Sequence, residues 1–167
     1  MDANARETIE GWISKARYHQ ETASEHLSSY HYSEAVEASQ ECVELSVKAV
    51  LSLLQIRFEY THGWRGKKLE SIAQQIKERR LLARLREHNL AHIRLPRLLF
   101  LADFWAQFYL TAKYGLEAGY LASAEDLYDK DQADLAVKHA RECLNAARWV
   151  ADLSGEKLAA VNQDAKT

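Results

Sequence analysis

The stretch YHYSEAVEASQECVELSVKAVLSLLQ, Tyr30 to Gln55, is apolar around more of its circumference than a helix lying on a surface needs. At helical spacing, Ala35, Ala38, Cys42, Leu45, Ala49 and Leu53 form one stripe, and Val36, Val43, Val47, Val50 and Leu54 form a neighbouring one. A helix of that girth must be covered on two sides, which places it centrally in a bundle or between a bundle and a partner chain. Its small Ala, Ser and Cys positions let another backbone approach closely. Glu34, Glu37, Glu41 and Glu44 recur as a polar stripe, and Glu44 and Lys48 are spaced for an i,i+4 ion pair.

The rest of the chain supplies helical neighbours. Six Gly and one Pro in 167 residues leave long segments without the punctuation that a many-turned β fold requires. An apolar content of 47% with 28% charged residues suits one folded domain with a single sizeable core. The expected fold is all-α, an up-and-down bundle of four long helices with one or two short ones. Helix 1 is predicted over Ala5–Ser28, helix 2 over Tyr32–Phe58 with Ser33 as N-cap, and a shorter helix over Lys67–Arg79. The sole proline, Pro96, suits the first turn of a helix and starts one running to Tyr114. After a loop, Asp129 and Gln132 make a capping-box pattern opening a last helix to Leu153, whose Ala133, Ala136, Ala140, Cys143 and Ala147 form a close-packing seam. The domain is expected over 1–155, with 156–167 a tail that extends the helix weakly or frays.

Charge is unevenly placed. Between Arg57 and Arg97 eleven Lys and Arg face four acids, a local +7 that leaves −9 on the remainder of a chain of net charge −2. Such a segment either attracts phosphate-bearing ligands or meets acidic helices of the same molecule. The opening MDANARETIEGWISKA shows neither a basic leader nor a continuous apolar run, and no segment approaches the roughly 20 apolar residues that span a bilayer. A cytoplasmic location without membrane association is expected. Cys42 and Cys143 lack metal-ligand spacing and read as small core residues rather than a disulfide.

With these elements in order, the chain resembles the HEPN family (higher eukaryotes and prokaryotes nucleotide-binding) over roughly residues 6 to 152. The resemblance rests on Tyr32, Ala35, Gln40, Glu44, Lys48, Ala49, Leu51 and His62, on FYLTAKYGLEAG, which is similar to the Arg-Tyr-Pro element ending the family's fourth helix, and on YDKDQADLAVKHARECL. Lys113-Tyr114-Gly115 stands in place of Arg-Tyr-Pro, replacing a forked guanidinium with a point charge. Cys42 and Val43 depart from the small residues and Ala common there. The resemblance implies an up-and-down bundle, often a homodimer, frequently paired with a nucleotidyltransferase in toxin–antitoxin systems.

Ribonucleases of this family carry an Arg followed shortly by a His, brought together across a dimer: His exchanges a proton with the ribose hydroxyl or leaving oxygen, and Arg stabilises phosphate charge. Arg86 to His92 and Arg57 to His62 have such spacing, but neither lies late in the chain where the motif is expected, and Arg141 has no His following it. Glu59 and His62 have a di-iron-type spacing, but a bundle needs two such motifs, so no metal and no cofactor are expected. Trp105, Phe108, Tyr109 and Tyr114 around Lys113 read first as core or dimer contacts and second as a base-stacking platform. The expectation is a non-catalytic module binding a nucleotide, RNA or partner protein, with Lys48, His62, Lys113 and Tyr114 as ligand-binding candidates. A ribonuclease toxin using Arg86 and His92 is the alternative, and a purely structural interaction protein the second alternative.

Overall fold

The computed structural model describes residues 3–163. Helix α1 runs over Ala3–Ser28 and α2 over Tyr32–Leu53. Between them Tyr30 takes a left-handed φ of 63°, and the N–H of His31 reaches back to the carbonyl of His26 at 2.9 Å. This closure turns the chain back on itself. Ser33 is not the cap: His31 holds that position, and Ser33 is buried, donating to Glu34 Oε2 at 2.8 Å.

α2 lies between α1 and α8 (Lys130–Ala151) on one side and α5 (Leu95–Ala106) and α6 (Tyr109–Tyr114) on another. Val43, Val47 and Val50 are all buried, as its wide apolar girth demands. Each such side chain contributes roughly 1.5–3 kcal/mol by leaving water. The alanine seams let backbones close up: Cys42 Sγ donates to the carbonyl of Ala140 on α8 at 3.5 Å. α8 opens on the expected capping box, with Asp129 Oδ1 accepting from the Asp131 and Gln132 N–H groups and Gln132 Oε1 from the Asp129 N–H. The architecture is an all-α bundle, and no described helix is long and apolar enough to cross a membrane.

Two boundaries differ from expectation. α2 stops at Leu53 rather than Phe58, because Gln55 turns left-handed and the Ile56 N–H closes on the Leu51 carbonyl at 2.8 Å. The single helix expected from Pro96 to Tyr114 is two helices, since Gln107 and Phe108 bond back three residues, to Phe104 and Trp105, and tighten the chain there. The basic segment forms α3 (Lys67–Glu78), α4 (Leu81–Glu87) and a 3-10 turn (Ala91–Ile93).

The expected tail is also not loose. Gly155–Asn162 forms α9, capped by Ser154 Oγ, with Val161 buried in the core; residues 164–167 lie outside the described residues. Asn162 Nδ2 donates to the Leu53 carbonyl at 2.8 Å, Arg79 reaches the Leu54 carbonyl and Asn162 Oδ1, and buried Arg84 donates to the Val161 carbonyl at 3.3 Å. Two cations of the basic segment therefore satisfy the carbonyls that helix ends leave without partners. The remaining short helix, α7, spans Ala124–Leu127.

Both cysteines are free and buried. Burial pushes the Cys42 thiol up to about 12 and the Cys143 thiol well above its usual range. Neither is expected to react with an alkylating thiol reagent in the native chain at pH 8, and both are expected to react in denaturant. Native-state labelling at the rate of an exposed thiol would contradict this packing.

Candidate functional site

α2 carries Glu44 on its buried side, and three groups converge on the carboxylate. Gln40 Nε2, one turn earlier, donates to Oε2 at 3.0 Å, and Lys48 Nζ, one turn later, donates to Oε1 at 2.5 Å. His62 Nδ1, from the loop after α2, lies 2.8 Å from Oε2. A buried carboxylate persists only when neutralised and hydrogen-bonded, which this arrangement achieves. Gln40 Oε1 is itself buried and accepts no hydrogen bond from the described residues.

The cluster continues onto α6. The His62 ring stacks on Tyr109 with centroids 4.9 Å apart at 11°. Lys113 Nζ donates to the Tyr109 hydroxyl at 3.2 Å, lies 5.6 Å from the Tyr114 ring centroid, and stands 3.7 Å from Glu37. The Tyr109 hydrogen bond first, then the neighbouring Tyr109, Tyr114 and Glu37, raise its pKa. Lys48, His62, Lys113 and Tyr114 are thus linked through Glu44 and Tyr109, but Lys48 and Lys113 each face a carboxylate.

The Arg and His pairs do not converge within one chain. Arg57 is held through its backbone by Gln75 and lines a groove of about 620 Å³ with Trp12, Phe58 and Tyr60, while His62 is held by Glu44. Arg86 lines a depression of about 200 Å³ beside Leu90 and Pro96. His92 lines a different one of about 370 Å³ and sets its ring 5.0 Å from Trp149 at 72°. Glu59 pairs with Lys68 instead of joining His62, and among the described residues no group of three or more His, Cys, Asp or Glu is placed to hold a metal.

The depression at His92 brings together residues that motif reading passed over. Lys138, Arg141, Asn145 and Trp149 recur every turn along the outer face of α8, and Arg94 and His92 face them. Their only sequence signal was this helical spacing on the side opposite the alanine seam. Glu142 stands among them, but Arg97 grips it through Nε at 2.6 Å and Nη2 at 2.9 Å. That fork holds the Glu142 carboxyl below the usual range despite partial burial. Arg94 also stands 3.8 Å from Glu142 Oε1, so with that carboxylate neutralised Lys138 and Arg141 leave the depression positive. Behind it, Trp105 Nε1 donates to His139 Nδ1 at 3.1 Å, and burial followed by Arg97 lowers the His139 pKa, keeping that ring a neutral acceptor.

A family model for the HEPN domain matches residues 9–150. The chain belongs to the HEPN family. No curated protein and no solved structure gives a significant match. The matched span of this HEPN domain begins at Ile9 within α1 and ends at Val150 near the close of α8, leaving α9 outside it. The positions that carried the resemblance fall largely inside α2: Ala35, Gln40, Glu44, Ala49 and Leu51 are all buried. The departure at Lys113-Tyr114-Gly115 has a local reason. Gly115 holds φ 77°, which proline cannot adopt, and a β-carbon there would stand 2.4 Å from the Ala122 carbonyl oxygen.

Proposed function

We propose that this HEPN domain is a non-catalytic module that binds a phosphate-bearing nucleotide in the depression between His92 and the outer face of α8. One observation carries the reading: Lys138 and Arg141 gather beside the half-exposed indole of Trp149, while the nearby carboxylate is occupied by Arg97 and Arg94. Guanidinium and ammonium groups suit phosphate oxygens, the indole suits a base, and Asn145 suits a base edge. The Lys113 and Tyr114 surface supports this less well, because Glu37 stands beside Lys113. Membership of the family supports pairing with a nucleotidyltransferase, which would supply the chemistry that this chain leaves to a partner. In the rival reading, RNA cleavage, His92 would act with Arg94 or Arg141 rather than with Arg86.

Titration of the full chain with ATP and with a short RNA tests both. Arg141→Ala is expected to raise Kd about tenfold, a change of about 1.4 kcal/mol, whereas Lys113→Ala leaves it within about twofold. Affinity falls as salt rises, because the attraction is between exposed charges. RNA incubated with the protein stays intact; cleavage that disappears in His92→Ala would overturn the non-catalytic reading. No binding at low salt would overturn the nucleotide reading.

A further inference from the structure

The groove beside Arg57 is built by two segments far apart in sequence. Gln55, in its left-handed conformation, ends α2 and brings residues 55–60 against the first turns of α1. Ile9 and Ile56, both buried, line its depth. Trp12, Phe58 and Tyr60 make one wall. Their ring centroids lie 5.3–6.5 Å apart with planes tilted by 53–56°, so each ring touches the next and no slot opens between them. Buried Trp64 backs Phe58 edge-on at 5.5 Å and fixes the wall from behind. Tyr60 nevertheless leaves 74% of its surface in water, at the outer end of this continuous aromatic face.

Arg57 is the one charged residue lining the groove. Its backbone is pinned from α3 in both directions: its N–H donates to Gln75 Oε1 at 2.8 Å, and Gln75 Nε2 donates to its carbonyl at 2.8 Å. Its guanidinium makes no hydrogen bond or ion pair with the described residues, and the neighbouring Glu59 is taken by Lys68 at 2.9 Å. A firmly based cation thus stands beside an aromatic wall without a counter-ion in the groove. One guanidinium fork matches one carboxylate through two parallel hydrogen bonds. A di- or triphosphate would bring several negative charges to that single cation, so the charge count favours a singly charged anion.

We propose that this groove binds a small planar aromatic carboxylate, its ring against the wall of Trp12, Phe58 and Tyr60 and its carboxylate on Arg57. Ring against ring is favourable in offset or edge-on contact, and the wall offers both a face and an edge. The volume of about 620 Å³ falls within the roughly 300–1,000 Å³ of small-molecule sites. The groove shares no lining residue with the depression at His92, so its failure and that of nucleotide binding are separately readable.

Titration of the full chain with indole-3-acetate, and with the neutral indole-3-acetamide, tests the site. The acid is expected to bind with a Kd of about 1 mM or tighter and the amide about tenfold more weakly. Arg57→Gln is expected to weaken the acid about tenfold and to erase its advantage over the amide. Tyr60→Ser, at a largely exposed ring, is expected to weaken both compounds, and circular dichroism melting checks that each variant folds. In proton–nitrogen NMR spectra the Trp12 indole resonance should move during the titration while that of Trp149 stays, and Arg141→Ala should leave the acid's affinity within about twofold. Absence of binding, equal binding of acid and amide, an affinity that survives Arg57→Gln, or a response at Trp149 instead of Trp12 overturns the proposal. Displacement of the acid from Trp12 by ATP overturns it as well, because the groove would then take a polyphosphate.

Discussion

Glu44→Ala is expected to destabilise the fold by about 3–5 kcal/mol, among the largest effects of any single polar substitution in this chain. The carboxylate is buried and binds Gln40, Lys48 and His62 at once. Removing it leaves the Lys48 ammonium, whose side chain is only 12% exposed, without its counter-ion in an apolar setting, and leaves the Gln40 amide without an acceptor. The penalty arises from the stranded partners more than from the ion pair itself. The control follows from the same reasoning: Glu44→Leu with Lys48→Met removes both charges and should recover most of the loss. Chemical denaturation of the three proteins measures it. A single-variant change below about 1 kcal/mol would mean that Lys48 reaches water easily and that the cluster is not a buried hub. His62, well exposed, contributes little to that figure.

Gly63→Ala should be nearly as damaging, at about 2–4 kcal/mol, although it adds a single methyl group. Gly63 holds φ 72°, and a β-carbon there would stand 2.5 Å from Ala106 Cβ at the end of α5. Two penalties combine: the left-handed conformation costs an alanine about 1–2 kcal/mol, and the collision displaces either the loop or the helix. The loop is anchored on both sides, by His62 on Glu44 and by buried Trp64, whose Nε1 donates to the Glu59 carbonyl at 3.0 Å. Shifting it therefore also disturbs the Glu44 cluster. Adding Ala106→Gly relieves the collision and not the backbone strain, so that pair should recover only part of the loss. An unchanged melting temperature in Gly63→Ala would show that the loop does not hold this conformation.

How far the fold was legible can be seen helix by helix. The capping box at Asp129 and Gln132 marked the start of α8 correctly, because it is a local bond pattern that needs no partner element. The end of α2 was invisible for the opposite reason. Its closure uses Gln55 in a left-handed conformation where a glycine would have announced it, and Tyr30 and Asn89 do the same after α1 and α4. The break between α5 and α6 has no proline or glycine either; it lies between Trp105 and Tyr109, where aromatic bulk is shared among α2, α8 and the His62 loop. The helix in the expected tail depends on Val161 finding the core and on Asn162 finding the end of α2, more than a hundred residues away in sequence.

The candidate site was legible in part. Glu44 and Lys48 were readable as a pair from their spacing, and the structure adds that the pair is buried and holds His62. The α8 face of Lys138, Arg141, Asn145 and Trp149 follows a helical period, but nothing in the sequence says that His92 and Arg94 stand opposite it. Nor does the local excess of cations reveal that Arg79, Arg84 and Arg97 are committed to carbonyls and to Glu142, leaving others outward.

From the sequence alone came the helical class, the central position of α2 and the family resemblance, since each rests on periodicity or on residue order within one segment. Which cations stay open, where α9 docks and which residues share a depression were decided by tertiary packing. Such contacts join residues far apart in the chain, and the closing of one helix against another, rather than any local preference, determines which charges meet a partner and which are left facing solvent.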